Sequence, residues 1–257
     1  MGGLARRASA IKELKGQHEH VLVLDSGGTF FRGGDSITSE NHKLGALLVA
    51  AMGAMGYDAM GLGSYDLKAP LTTVQSRFEE AGFPILSANV TPGRTLPNVQ
   101  TYVLKKVGGH TVAIIGVTPV SAGDRLTTLG LAPLSPDPIA AVKRAVKRAG
   151  RRADIVLLLS TLQRSSTETL AEAVPGIDVI IGVDRGMQLR PVALPGAEGE
   201  VVLHAAGTEG KYLGVLTLHL DAEGQVTEFE GRALSLTDFY GDDPEMIELI
   251  REHAAQR

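Results

Sequence analysis

Short, continuously apolar runs that stop at loops rich in Gly, Ser and Asp recur along this chain, and they limit its fold more than any other feature. Val21-Leu22-Val23-Leu24 ends in Asp25-Ser26-Gly27-Gly28. Residues 154–159 and 177–181 repeat the pattern, and Pro84-Ile85-Leu86-Ser87 is a shorter instance. A run that is apolar at every position reads as a strand covered on both faces. Between these runs the apolar spacing turns helical. Residues 4–15 carry Leu4, Ala8, Ile11 and Leu14 three or four apart; residues 44–55 form a long apolar helix stopped by Gly56; residues 74–81 follow. Residues 138–149 place Ile139, Val142 and Val146 on one face. Strand alternating with helix through the first two thirds predicts an α/β fold with parallel strands.

Two stretches break that grammar. Residues 99–107 and 111–117 flank Gly108-Gly109, which predicts a hairpin with a tight glycine turn. Residues 201–205, 212–220 and 226–234 are β runs with no helix between them, and Asp221-Ala222-Glu223-Gly224 joins the last pair. This segment reads as an antiparallel meander, and an amphipathic helix over 245–253 closes the chain. Without a low-complexity linker or an internal repeat, residues 1–257 read as a single domain of two packed sheets flanked by helices.

Composition narrows the function. With 25 Lys and Arg against 29 Asp and Glu the net charge is −4, which argues against general nucleic-acid binding. The absence of Cys excludes disulfides, thiolate metal sites, Fe–S clusters and a Cys nucleophile. No apolar run reaches the ~20 residues of a membrane span, and no apolar stretch follows Arg6-Arg7 as a secretory signal requires.

In an open α/β sheet, ligands bind at loops beyond the carboxyl ends of strands. Four stand out: Asp25-Ser26-Gly27-Gly28, Gly63-Ser64-Tyr65-Asp66, Ser160-Thr161-Leu162-Gln163 and Gly182-Val183-Asp184-Arg185-Gly186. Together with Gly2-Gly3-Leu4-Ala5-Arg6-Arg7, Phe83-Pro84-Ile85-Leu86-Ser87-Ala88-Asn89, Gly176-Ile177-Asp178 and Lys211-Tyr212-Leu213-Gly214, they resemble the metallophosphoesterase (calcineurin-like) domain of the 5′-nucleotidase and UDP-sugar hydrolase family. The resemblance runs to about residue 235. It implies a four-layer α/β/β/α sandwich of two mixed sheets, and phosphate-ester hydrolysis by two bridged metal ions.

Carried over residue by residue, the family's ligand set is degenerate here. The strand bearing Asp-x-His would precede Gly2 and is absent. The bridging Asp falls on Gly28, the ligand Asn on Ser64 and the catalytic His on Tyr65. One further ligand His falls on Thr161, and two more fall on Asp184 and Gly186. Only Asp184 keeps a strong donor, and one carboxylate cannot hold two mutually repelling cations, so no dimetal site is expected.

Other readings stand beside this one. Asp25, Asp66 and Asp184 could hold one hard divalent cation through oxygen, or simply cap turns and helices. Asp184-Arg185 could form a salt bridge in place of the lost metal charge, or Arg185 could bind an anion. Lys143-Arg144, Lys147-Arg148 and Arg151-Arg152 read as a solvated helix face, because no aromatics interleave for base stacking. His18, His20, His42, His110, His204, His219 and His253 form no i, i+4 pair and read as surface or strand residues. Ser64 and Ser160 lack a His–Asp partnership, and Gly27-Gly28 is no phosphate loop.

The expectation is therefore a phosphoesterase-like domain that binds a ligand or protein partner without catalysis and without a cofactor. The alternatives are a residual hydrolase using one divalent cation, and a core whose activity depends on an upstream segment. Either the native protein carries the absent strand upstream, or a partner chain or rearranged segment is expected to fill its place. No C-terminal nucleotide-recognition domain is expected, and an envelope or periplasmic location follows only from the resemblance.

Overall fold

The computed structural model describes residues 2–31, 39–91, 95–131, 134–183, 190–207 and 210–255. The chain begins with α1 (Leu4–Gln17), β1 (Leu24–Asp25), α2 (Ser39–Met55), β2 (Ala59–Gly61), α3 (Leu71–Glu80) and β3 (Ile85–Leu86). There follow β4 (Val99–Gln100), β5 (Tyr102–Val107), β6 (His110–Val117), α4 (Gly123–Thr128), α5 (Pro138–Ala149) and β7 (Ile155–Ser160). The last third holds α6 (Arg164–Ala173), β8 (Val179–Ile181), β9 (Val192–Gly196), β10 (Gly199–His204), β11 (Tyr212–Leu220), β12 (Val226–Ser235) and α7 (Pro244–Ala255).

Two main sheets stack. One has the order β1-β2-β3-β4 and is parallel throughout. The other, β5-β6-β7-β8-β10-β9, is mixed, with the hairpins β5–β6 and β9–β10 at its two edges. Between them lies an apolar layer that includes Ala59, Leu86, Ile114, Leu157, Leu159 and Val202. Outside the first sheet, α1, α2, α3 and α7 bury a cluster around Met52, Phe78, Ile85 and Met246. Outside the second, α5 and α6 bury Val142, Val146 and Leu170 against Ile115, Leu158 and Ile180. Alternate residues of each central strand serve different layers, which is why strands such as β7 are apolar at nearly every position. This is the four-layer α/β/β/α arrangement.

Several elements lie where periodicity placed them. Gly108 and Gly109 both have positive φ (59° and 85°), as a two-residue turn matched to strand twist requires. The run 99–107 is not one strand. It breaks at Thr101, with Val99–Gln100 pairing in the first sheet and Tyr102–Val107 in the second. The three-stranded meander is also corrected. β10 pairs in parallel with β8 and antiparallel with β9, while β11 and β12 form a separate two-stranded sheet. The apolar face of 201–204 finds more burial in the central sheet than against a hairpin, and that choice is invisible to local patterning.

Candidate functional site

The loops after β1 and β2 pack backbone against backbone. A Cβ on Gly27, where φ is 111°, would stand 2.3 Å from the Gly61 carbonyl oxygen. One on Gly61 would stand 2.3 Å from the Ser26 carbonyl oxygen, and one on Gly63 would stand 2.4 Å from the Gly28 nitrogen. No side chain fits at these three positions, so the glycines set the distance between the two loops.

Asp66 locks that contact. It lies in a single helical turn, Ser64–Leu67, and is fully buried. Its Oδ1 accepts from the backbone N–H groups of Thr29 (2.8 Å) and Phe30 (3.0 Å). Its Oδ2 accepts from those of Gly28 (2.7 Å) and Gly63 (2.8 Å). A carboxylate has about four lone-pair sites, and all are engaged. Burial pushes the Asp66 carboxyl up to about 6, opposed by the N–H groups of Phe30, Gly28 and Gly63 and aided weakly by the charge of Asp25. The far end of the turn is held by Arg125, which donates through Nε to the Leu67 carbonyl (2.7 Å) and through Nη2 to that of Ala69 (2.8 Å).

Around this clamp the structure gathers part of the expected set. Position 28 faces Tyr65, whose Cδ2 would be 3.7 Å from a Cβ there. Tyr65 is 39% exposed, with Lys68 Nζ 4.8 Å from its ring centroid. Ser64 Oγ lies 3.4 Å from Ser121 Oγ. Asp25 Oδ1 accepts from the Gly27 N–H and the Thr29 hydroxyl, both at 2.8 Å, which is the turn-capping use of a short carboxylate. Thr161, beyond β7, has a buried hydroxyl without a hydrogen-bond partner. Asp184, Arg185 and Gly186 lie outside the described residues, so their salt-bridge, anion-binding and ligand readings receive no structural account.

The two-metal centre that the fold implies does not suit the described residues. Gly28 has no donor atom, and Ser64, Tyr65 and Thr161 offer only hydroxyls, which bind divalent ions poorly unless deprotonated. Asp66 has no lone pair left to give. Among the described residues no three His, Asp or Glu gather as a metal site. The arrangement offers hydroxyls, one exposed aromatic ring and one ammonium group, which is equipment for hydrogen bonding and stacking.

Sequence reasoning missed the support beneath these loops. Ser87, Asn89 and Thr118 form a buried network after β3 and β6. Asn89 Oδ1 accepts from the Thr118 N–H (2.9 Å), Asn89 Nδ2 donates to the Thr118 carbonyl (2.7 Å), and the Thr118 hydroxyl donates to the Leu62 carbonyl (2.8 Å). The available signal was a small polar residue directly after each apolar run, a place where buried backbone groups need partners. His204, read as an ordinary strand residue, is 3% exposed, and neither ring nitrogen has a hydrogen-bond partner.

No family model matches the chain. It is 30% identical to a snake venom 5′-nucleotidase from Gloydius brevicauda over 286 aligned positions, covering 95% of this chain and 45% of the relative. It is 27% identical to the 5′-nucleotidase of Bos taurus, covering 95% and 46%. The chain thus spans about half the length of the curated relatives it matches. Among solved structures, the 5′-nucleotidase precursor from Thermus thermophilus superposes with a TM-score of 0.83 at 24% identity, over 99% of this chain and 53% of that one. The calcineurin-like phosphoesterase YfkN from Bacillus subtilis superposes with a TM-score of 0.77 at 20% identity, over 99% and 89%. Their shared fold is this α/β/β/α sandwich, and the sequence likeness extends along nearly the whole chain: it matches a metallophosphoesterase domain of the 5′-nucleotidase family.

Proposed function

We propose that this 5′-nucleotidase-like domain is non-catalytic and acts by binding a ligand or a protein partner. The observation that carries the reading is the state of Asp66, whose four acceptor positions are all engaged by backbone N–H groups. Two-metal hydrolysis needs several anionic or imidazole donors around a bridging carboxylate. Here the bridging position is a glycine, and the carboxylate nearest to it is a structural clamp. The expectation that the domain needs no cofactor belongs to the same proposal, as does an envelope location, which rests on family resemblance alone.

The test is metal content by mass spectrometry on protein purified without chelator, repeated after incubation with Mn²⁺, Zn²⁺, Mg²⁺ and Ca²⁺, with phosphate-ester turnover assayed under each condition. Near-zero occupancy and no turnover are expected. One tightly held ion per chain accompanied by turnover would overturn the reading. The second reading, a hydrolase using one cation at Asp25, Asp66 and Asp184, is disfavoured because Asp66 would have to release its backbone partners to serve as a ligand.

A further inference from the structure

The most concentrated charge on this molecule lies away from the strand-end loops, and neither the fold nor the proposed function uses it. Lys143, Arg144, Lys147 and Arg148 on α5, with Arg151 and Arg152 in the helical turn that continues it, recur as adjacent pairs four residues apart. At 100° per residue they form one continuous stripe, about 14 Å long at 1.5 Å per residue. All six side chains are exposed. None of them makes an ion pair among the described residues, and no acidic residue occurs between Asp137 and Asp154.

We propose that this stripe docks the protein onto an anionic lipid bilayer. The opposite face of α5 is committed to the core through Ala141, Val142, Ala145, Val146 and Ala149, so the helix has no apolar face left to insert. Association is therefore peripheral and electrostatic. Between positions 138 and 153 there is no Ser, Thr, Asn, Gln or aromatic residue, so no neutral hydrogen-bonding side chain and no aromatic ring stands beside the cations to read or stack on bases. A plane of headgroups asks for no more than charge. The remaining 19 Lys and Arg are outnumbered by 29 Asp and Glu, so the rest of the molecule is repelled by the same plane and a single face is presented to it. Arg151 and Arg152 precede β7, whereas Ser160 and Thr161 stand at and beyond its other end. Six strand residues span ~20 Å, so the strand-end loops lie at the far end of β7 from Arg151 and Arg152.

Vesicle co-sedimentation tests this with phosphatidylcholine vesicles carrying about one third phosphatidylglycerol, compared with phosphatidylcholine alone. Binding is expected to the anionic vesicles at low salt, with loss at about 0.5 M NaCl. The double variant Lys147→Gln/Arg148→Gln should bind about 30-fold more weakly, from about one tenfold step per 1.4 kcal/mol and about 1 kcal/mol per cation. Lys106→Gln, which removes an exposed cation from β5, should bind as the wild type does. Because the substituted side chains are solvent-exposed, unchanged thermal unfolding is expected in both variants. Equal binding to neutral vesicles, indifference to the double substitution, or tighter binding of a DNA duplex than of the anionic vesicles at the same salt would each overturn the proposal.

Discussion

The backbone N–H of Gly28 donates to Oδ2 of Asp66 at 2.7 Å. The residue standing where the family resemblance places a bridging metal ligand is thereby tied to the fully buried carboxylate beside it. Thr29, Phe30 and Gly63 bind the same carboxylate, so one side chain after β2 holds the whole turn after β1. A carboxylate that closes two loops in this way contributes to stability through hydrogen bonds that would otherwise be buried and unmade.

Asp66→Asn should therefore destabilise the fold although it changes few atoms. An amide presents one oxygen and one NH₂ where two oxygens stood, so two buried backbone donors lose their acceptor. At about 1–3 kcal/mol per unsatisfied group, a loss of about 2 kcal/mol or more is expected at pH 7, read as a fall in the urea midpoint at unchanged m-value. A midpoint equal to that of the wild type would show that these four contacts do not hold the loops.

The pH dependence of that difference has a defined sign. Burial raises the Asp66 carboxyl from its ordinary 3.8 to about 6. A raised folded value means that the native state holds the proton more tightly than the unfolded chain. Its contribution is then fully present below about 3.8 and is lost as pH rises through about 6. Relative to Asp66→Asn, wild-type stability should decline between pH 4 and pH 7 by on the order of 3 kcal/mol, at about 1.36 kcal/mol for each pH unit separating the folded and unfolded values. A wild-type advantage that grows with pH would contradict this account.

His204 should show the opposite slope. Burial lowers its pKa, opposed by hydrogen bonding toward the backbone of Arg232. The native state favours the neutral ring, so stability is complete above the ordinary value of 6.5 and is lost as pH falls through the folded value. Thermal melts of wild type and His204→Leu between pH 7.5 and pH 5 should diverge on acidification, with the wild type falling faster. Parallel curves would mean that the ring finds a partner when protonated.

The glycines should separate into two classes. Gly27→Ala and Gly61→Ala each place a methyl 2.3 Å from a carbonyl oxygen and should cost about 4 kcal/mol, the range of severe overpacking. Gly28→Ala meets nothing nearer than the Tyr65 ring at 3.7 Å and is strained only by its φ of 78°, which costs about 1 kcal/mol. Calorimetric melting temperatures would distinguish them. A Gly28 variant as damaging as a Gly27 variant would refute the packing argument.

Along the chain, the sequence by itself determined the elements whose signal is local. The amphipathic spacing of α5 and the extended run of β11 lie between the same residues in the structure as in the periodicity, because a helix or strand with one dedicated face carries its own period. The four-layer order was implied by the family resemblance, and strands apolar on both faces agree with it. Tertiary structure decided the rest. Whether residues 201–204 join a meander or the central sheet depends on which surface buries them better, and the break at Thr101 exists because the chain changes sheets there. Asp66 read first as a cap and second as a cation ligand, since a carboxylate's role is set by what surrounds it. Here its surroundings are backbone N–H groups from a loop more than thirty residues earlier in the chain, and only folding brings them to it.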